Sequence, residues 1–86
     1  MPEISRFLGI VIAMYYNDHA PPHFHARYGA YEIRVAIQDG EILSGSFPKR
    51  AQQMVAEWLG LHRSELMEDW DLAEQRRPLR KIEPLE

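Results

Sequence analysis

The sequence has no cysteine, and this absence excludes several kinds of protein. A chain of 86 residues without cysteine has no disulfide framework, no thiolate ligands for zinc and no cysteine nucleophile. It is also poor in glycine, with five residues, and contains no glycine-rich phosphate-binding loop. The nucleophile elbow of serine hydrolases and the helical His-Glu-x-x-His pattern of zinc proteases are missing as well. Most familiar enzyme classes are therefore unsupported.

Long apolar runs and an excess of positive charge are also lacking. The longest apolar stretch, residues 7–16, has about half the length of a membrane-spanning helix. The first residues lack the basic start and apolar segment of a signal peptide, so we expect a cytoplasmic protein without a membrane role. Ten basic residues stand against thirteen acidic ones, for a net charge of −3. Binding of nucleic acid would therefore require a local basic patch or a partner.

The length limits the architecture to one domain, residues 1–86. With 45% apolar and 27% charged residues, the composition is that of a folded globular protein. A core of this size cannot enclose a large cofactor, so a ligand would lie in a shallow cleft or at a subunit interface.

The first half of the chain alternates between apolar and polar residues, which predicts β-strands. The dipeptide Asp39-Gly40 is a strong hairpin signal. The pattern predicts an antiparallel β-meander of three to four strands, at residues 8–16, 23–28, 31–38 and 41–44. The first of these is apolar on both faces, so we expect it to be a central strand.

The second half carries an apolar stripe at helical spacing, formed by Ala51, Val55, Trp58, His62, Leu66 and Trp70. It predicts a long or bent α-helix from Phe47 to about Gln75, with Ser46 as N-cap and Gly60 as the place for a bend or break. One helix and two helices both remain open. Residues 78–85 are bounded by prolines and predict an extended arm, either an edge strand or a segment laid on a partner. The expected fold class is α+β.

Three of the four histidines fall within seven residues, at His19, His23 and His25. Residues two apart on a strand project from the same face about 6.5 Å apart, so His23 and His25 can converge on one ion. His19 could supply a third ligand from the preceding loop, and Asp18 could bind the ion or orient an imidazole. Such a site suits zinc, nickel, copper or iron(II) better than magnesium or calcium.

Two other interpretations of these histidines stay open. Histidine, arginine and glutamate at alternate positions also form the ordinary solvated face of a sheet. The histidines could instead donate hydrogen bonds to an anion or to a carboxylate of a partner protein. His62 lies on the apolar helix stripe, where Glu65 is a candidate hydrogen-bond partner. It would join the metal site only if the helix brings it to the face of His23 and His25.

The chain resembles the bacterial domain-of-unknown-function family 4160, and the Pro-Pro-His-Phe-His motif at residues 21–25 is its most distinctive feature. Further residues carry the resemblance along nearly the whole chain: residues 4–7, 9–10, 14–15, 18–19, 58, 62, 65–66, 70 and 81–85. The resemblance implies a protein partner encoded by a neighbouring gene of the domain-of-unknown-function family 2442, in an arrangement suggestive of toxin–antitoxin pairs.

Two classes of function follow. The first is a toxin–antitoxin-like interaction module, with the histidine face as its surface for a metal, an anion or a partner. The second is a small metal-dependent or histidine-based hydrolase such as a nuclease, in which His23 and His25 act in catalysis and Arg27 or Arg34 stabilises phosphate charge. The apolar Ile82-Glu83-Pro84-Leu85 arm and the free sheet edge also favour a homodimer over a monomer.

Overall fold

The computed structural model describes residues 2–85 and contains a single antiparallel sheet and one helix. The strands are β1 (Glu3–Phe7), β2 (Ile10–Ala13), β3 (His23–Tyr28), β4 (Tyr31–Ala36) and β5 (Ile42–Ser46), and the helix is α1 (Lys49–Glu74). The strands pair in chain order, β1-β2-β3-β4-β5, with every pair antiparallel. The predicted α+β class and the meander are confirmed.

The sheet has five strands, so the prediction of three to four was wrong. The stretch predicted as one strand at residues 8–16 forms a strand only at Ile10–Ala13, and Leu8 and Gly9 before it form a turn with φ values of 52° and 83°. Two consecutive residues in the left-handed region are typical of the tight turn that joins antiparallel strands. Gly9 adopts this conformation without strain, whereas Leu8 is an unusual residue there. The residues before the turn form β1, a strand that was not predicted from the sequence.

The next strand, β3, lies where the pattern placed it, whereas β4 ends at Ala36 instead of residue 38 because residues 37–39 form a turn, and β5 lies slightly later. It spans Ile42–Ser46 instead of residues 41–44. Gly45 has φ 84°, and a Cβ at this position would overlap the carbonyl oxygen of Glu32 on β4. The close approach of the two strands therefore requires glycine at position 45.

The helix is single and bent, but its start and its bend differ from the prediction. Ser46 belongs to β5, and the N-cap residue is Pro48, which makes no side-chain cap hydrogen bond. The backbone leaves helical geometry at His62 (φ −129°, ψ 23°), two residues after Gly60. No helix within residues 2–85 has the length and apolar character needed to cross a membrane.

The core lies between one face of the sheet and the helix. Trp58 is fully buried at its centre, with its ring centroid 5.5 Å from that of Phe7 and 5.7 Å from that of Phe24. Alternate residues of a strand project to opposite faces, so this packing leaves His25 and Arg27 on the face away from the core. Burial of the aromatic and aliphatic side chains is the main stabilising contribution.

The extended arm after the helix packs against its own chain. The backbone N–H of Ile82 donates to the carbonyl oxygen of Ile4 on β1 (2.8 Å), and the Ile82 side chain is buried. Trp58 Nε1 donates to the carbonyl oxygen of Glu83 (2.8 Å), and the backbone N–H of Arg80 donates to Asp69 Oδ1 (2.9 Å). The arm thus joins β1 to α1 within one chain, and its residues 78–85 form no strand.

Candidate metal centre

Asp18, His23 and His25 converge at the end of the sheet where the β2–β3 loop enters β3. One ligand atom from each residue can be chosen so that all three lie within 4.8 Å of one another. Asp18 belongs to the loop, and the two histidines occupy the first and third positions of β3. The two-residue spacing on a strand brings the imidazoles to one side, as the sequence predicted.

The Asp18 carboxylate is oriented by its own loop. The backbone N–H of His19 donates to Asp18 Oδ1 (2.8 Å), which leaves Oδ2 directed at the histidines. Oδ2 lies 3.0 Å from His23 Nε2 and 3.3 Å from His25 Nε2. A single carboxylate oxygen therefore faces one nitrogen of each imidazole.

His23 is almost completely buried, with 1% of its surface exposed. Its Nδ1 lies 2.8 Å from the carbonyl oxygen of Pro21, which follows a cis Ala20–Pro21 peptide bond. A carbonyl oxygen only accepts, so Nδ1 carries the proton and donates this hydrogen bond. In the neutral imidazole, Nε2 is then an unprotonated nitrogen whose lone pair faces the Asp18 carboxylate.

His25 has a similar arrangement with a different outer partner. Its Nδ1 lies 3.5 Å from Glu32 Oε2 and makes no hydrogen bond in the part of the chain that the structure describes. The ring packs edge-on against Tyr15, with centroids 4.3 Å apart and an interplanar angle of 88°. The edge-on contact with Tyr15 packs the ring in the orientation in which Nε2 faces Asp18.

The electrostatics of the cluster favour the ionised form of Asp18. Partial burial raises the pKa of this carboxyl, but it is outweighed by the His19 backbone N–H, by hydrogen bonds with His25 and His23, and by the charge of His23, the last two requiring His23 in its protonated form. The pKa of Asp18 is therefore lowered from its ordinary value. A carboxylate kept in its ionised form is ready to accept a proton donor or a cation.

The remaining predicted site residues lie outside this cluster. The His19 side chain is exposed, and only its backbone N–H contacts Asp18. His62 is on the helix, where its Nδ1 pairs with Glu65 Oε1 and its ring packs on Trp58. Arg27 lies two positions beyond His25 on β3, with its Nε 3.9 Å from Glu32 Oε1. The predicted pairing of His62 with Glu65 is confirmed.

Four supporting residues were not assigned to the site from the sequence: Tyr15, Pro21, Glu32 and Trp70. The Trp70 ring centroid lies 5.3 Å from that of His23, which closes the buried side of the cluster. Glu32 could have been found from the Gly29-Ala30 turn, since a two-residue turn pairs Tyr28 with Tyr31 and fixes the register of the strands. That register brings Glu32 diagonally across from His25.

Two imidazole nitrogens and one carboxylate oxygen form a ligand set that proteins use for divalent transition metals. Neutral imidazole suits zinc, copper, nickel and iron, and a carboxylate completes sites of three protein ligands. Metal-binding histidines usually donate their other ring nitrogen to a carbonyl or a carboxylate. His23 has such a partner in the Pro21 carbonyl, and His25 has the Glu32 carboxylate nearby.

Comparison with known proteins identifies a family. Searches of curated proteins and of solved structures found no significant match to this chain. A family model described as a domain of unknown function, DUF4160, matches residues 9–71. The matched segment begins in the β1–β2 turn, includes the whole Asp18–His23–His25 cluster and ends near the last turn of α1. The chain therefore belongs to the domain-of-unknown-function family 4160.

Proposed function

We propose that this protein binds a divalent transition metal ion, such as zinc or nickel, through Asp18, His23 and His25. The supporting observation is the hydrogen bond from His23 Nδ1 to the Pro21 carbonyl oxygen. It leaves the Nε2 lone pair of a neutral His23 directed at Asp18 Oδ2, 3.0 Å away, although both atoms are acceptors. A divalent cation bound by these two atoms and by His25 Nε2 would turn the repulsion into coordination.

The competing interpretation is an ion pair without metal. A doubly protonated His23 would donate from both nitrogens, to Pro21 and to Asp18, and would need no cation. The two interpretations differ in the number of protons on the ring. In the metal-free protein at pH 7, nitrogen NMR of the imidazoles distinguishes a neutral ring from a doubly protonated one. A doubly protonated His23 that persists in excess zinc would contradict the proposal.

The decisive experiment is metal content of the protein purified without a histidine tag. The protein is incubated with zinc, passed through a desalting column and analysed for bound metal, and we expect about one ion per chain. His25→Ala removes a ligand from a side chain that is not in the apolar core, so the variant should fold. Its zinc affinity should fall by more than about 100-fold, since even partners outside the ligand set contribute about 10–100-fold.

His19→Ala is the matched control, because it removes an imidazole from the same loop without touching the cluster. It should bind zinc like the wild type. If His19→Ala loses zinc as His25→Ala does, the ligand set includes the loop histidine. If the wild type retains only traces of zinc, the metal function is wrong.

A hydrolytic use of the site is the second candidate function. Structural zinc sites use four protein ligands, whereas catalytic sites use three and leave a position for water. The described residues bring three ligand side chains together, with Arg27 near Glu32 at the edge of the cluster. A metal-bound water in this position would be a nucleophile for a phosphate ester, as in a small nuclease.

This second function is tested by expressing the wild type beside the His23→Ala/His25→Ala variant in bacteria. Growth arrest, or degradation of RNA or DNA in vitro by the wild type alone, would support it. If neither protein arrests growth and neither degrades nucleic acid in the presence of zinc, the hydrolase candidate fails in this form.

We also propose that the protein acts with a protein partner, as a toxin–antitoxin-like component in the cytoplasm. The support is the resemblance to proteins encoded beside members of the domain-of-unknown-function family 2442, and the position of β5 at an open edge of the sheet. A pull-down with the neighbouring gene product tests the partner. Light scattering of the isolated protein tests the proposed homodimer, which a monomeric mass would contradict.

A further inference from the structure

The polar face of the sheet, which we define by His25, Arg27, Glu32 and Arg34, continues directly from the metal cluster. Arg34 is the cross-strand partner of His25, and Glu32 is the partner of Arg27. Directly opposed side chains on an antiparallel pair have Cβ atoms about 4.5–5.5 Å apart. Two arginine side chains therefore lie beside His25 on this face. Arg34 is directly opposite it on β4, and Arg27 is two residues further along β3.

Arg34 is held in place but keeps donors available. Its Nε donates to Ser44 Oγ on β5 (2.9 Å), which fixes the guanidinium group over the polar face. Within residues 2–85, its two terminal nitrogens have no protein partner. A guanidinium group with both terminal nitrogens available can bind two oxygens of one anion.

The charge of this region depends on the metal. Asp18 and Glu32 contribute two negative charges, and Arg27 and Arg34 contribute two positive ones, so the metal-free region is neutral when its histidines are neutral. A divalent ion bound to the cluster would change the local charge to +2. The region would then attract a dianion that the metal-free protein does not attract.

We propose that the metal-loaded polar face is a binding site for a phosphate monoester, with Arg34 as its anion-binding residue. This inference rests on the proposed metal site. A phosphate monoester is a dianion that matches the +2 charge, and its three terminal oxygens can occupy an open metal position and both terminal nitrogens of Arg34. A carboxylate has two oxygens and one charge, so it cannot satisfy both groups equally well.

The experiment measures binding of phenyl phosphate to zinc-loaded protein by calorimetry, with dimethyl phosphate and acetate as the other two probes. We expect phenyl phosphate to bind more tightly than dimethyl phosphate, which has a single charge, and more tightly than acetate. Arg34→Gln should weaken phenyl phosphate binding about tenfold or more, because it removes a charge-assisted pair of hydrogen bonds. Arg34→Lys keeps the charge without the planar fork and should recover part of the affinity.

Arg50→Gln is the matched control, since it removes the same charge from the exposed start of α1. It should leave phenyl phosphate affinity unchanged. Arg34→Gln should bind zinc like the wild type in the absence of phosphate, which separates an anion-site defect from a metal-site defect. By linkage, phenyl phosphate should also tighten zinc binding by the same factor by which zinc tightens phenyl phosphate binding.

The possible failures are distinguishable. Zinc binding with no affinity for phenyl phosphate, or with equal affinity for acetate, overturns the phosphate site and leaves the metal site intact. Equal losses in Arg34→Gln and Arg50→Gln show a general charge effect and overturn the role of Arg34. Absence of zinc binding overturns both proposals.

Discussion

Asp18 and Asp69 are both withdrawn from solvent, yet their surroundings shift their pKa values in opposite directions. Around Asp18, the contacts with His19, His25 and His23 outweigh partial burial and lower the pKa. Asp69 is 1% exposed on α1, and burial dominates there and raises the pKa. Its Oδ1 accepts one hydrogen bond from the arm, and its Oδ2 is buried with no partner within the described residues.

The difference teaches that the two regions are held together by different forces. The region of Asp18 is organised by polar groups that surround one carboxylate, as expected of a binding site. The region of Asp69 is organised by apolar burial around Trp58 and Ile82. Burial of the Asp69 carboxylate within that packing costs free energy. Substitutions in the two regions should therefore differ in both size and pH dependence.

The largest expected effect is in the apolar region. Trp58→Ala removes a fully buried ring and its hydrogen bond to the Glu83 carbonyl, and it should lower the free energy of unfolding by about 3–5 kcal/mol. Trp58→Phe keeps most of the apolar contact and should cost less. Urea unfolding measures both. If Trp58→Ala lowered the free energy of unfolding by less than about 1 kcal/mol, this ring would not be a main contributor to the stability of the core and the arm.

A smaller effect is expected in the polar region. His23→Ala in metal-free protein leaves the Pro21 carbonyl without its donor and should cost about 1–3 kcal/mol. His19→Ala, at an exposed position, should change stability by less than about 0.5 kcal/mol. Zinc at about 100 times its dissociation constant should stabilise the wild type by about 2.7 kcal/mol, and His23→Ala by much less. If zinc stabilised the wild type and His23→Ala equally, the metal would not be bound by this cluster.

The two regions also differ in how far the sequence predicts them. The two-residue spacing of His23 and His25 was sufficient to place their side chains together, because strand alternation is a local property. The helix stripe likewise predicted burial of Trp58 and Trp70, which the structure confirms. Strands and helices of this kind can be predicted because their side chains return to the same face at a fixed spacing in the sequence.

What the sequence did not predict depends on single backbone conformations or on distant contacts. The turn at Leu8 could not be predicted, because an apolar residue such as leucine is typical of a strand, whereas here it is exposed and has a positive φ. His19 is one residue from Asp18, but the loop directs its side chain to solvent and uses only its N–H. The contact of Arg80 with Asp69 joins residues 11 apart through the course of the arm, which no local pattern specifies.

The pH dependence of Asp69 is the next way to test the comparison. Because the folded-state pKa is raised above its ordinary value of 3.8, the contribution of Asp69 is fully present below that value and is lost as pH rises through the folded pKa. Asp69→Asn keeps an acceptor for the Arg80 N–H and removes the titration. We expect the unfolding free energy of the wild type, relative to Asp69→Asn, to fall as pH rises above about 4. A difference independent of pH would show that Asp69 is not buried as an ionisable group.

Asp18→Asn, measured with a chelator present, should give the opposite sign. The folded-state pKa of Asp18 is below 3.8, so its stabilising contribution is fully present above that value and is lost as pH falls through the lowered folded pKa. The wild type should therefore lose stability relative to Asp18→Asn as pH falls below about 4, whereas it gains stability relative to Asp69→Asn as pH falls toward about 4 from above. Partial exposure of Asp18 makes this the smaller effect. If both differences change in the same direction, the contacts of His19, His23 and His25 do not stabilise the Asp18 carboxylate in the metal-free protein.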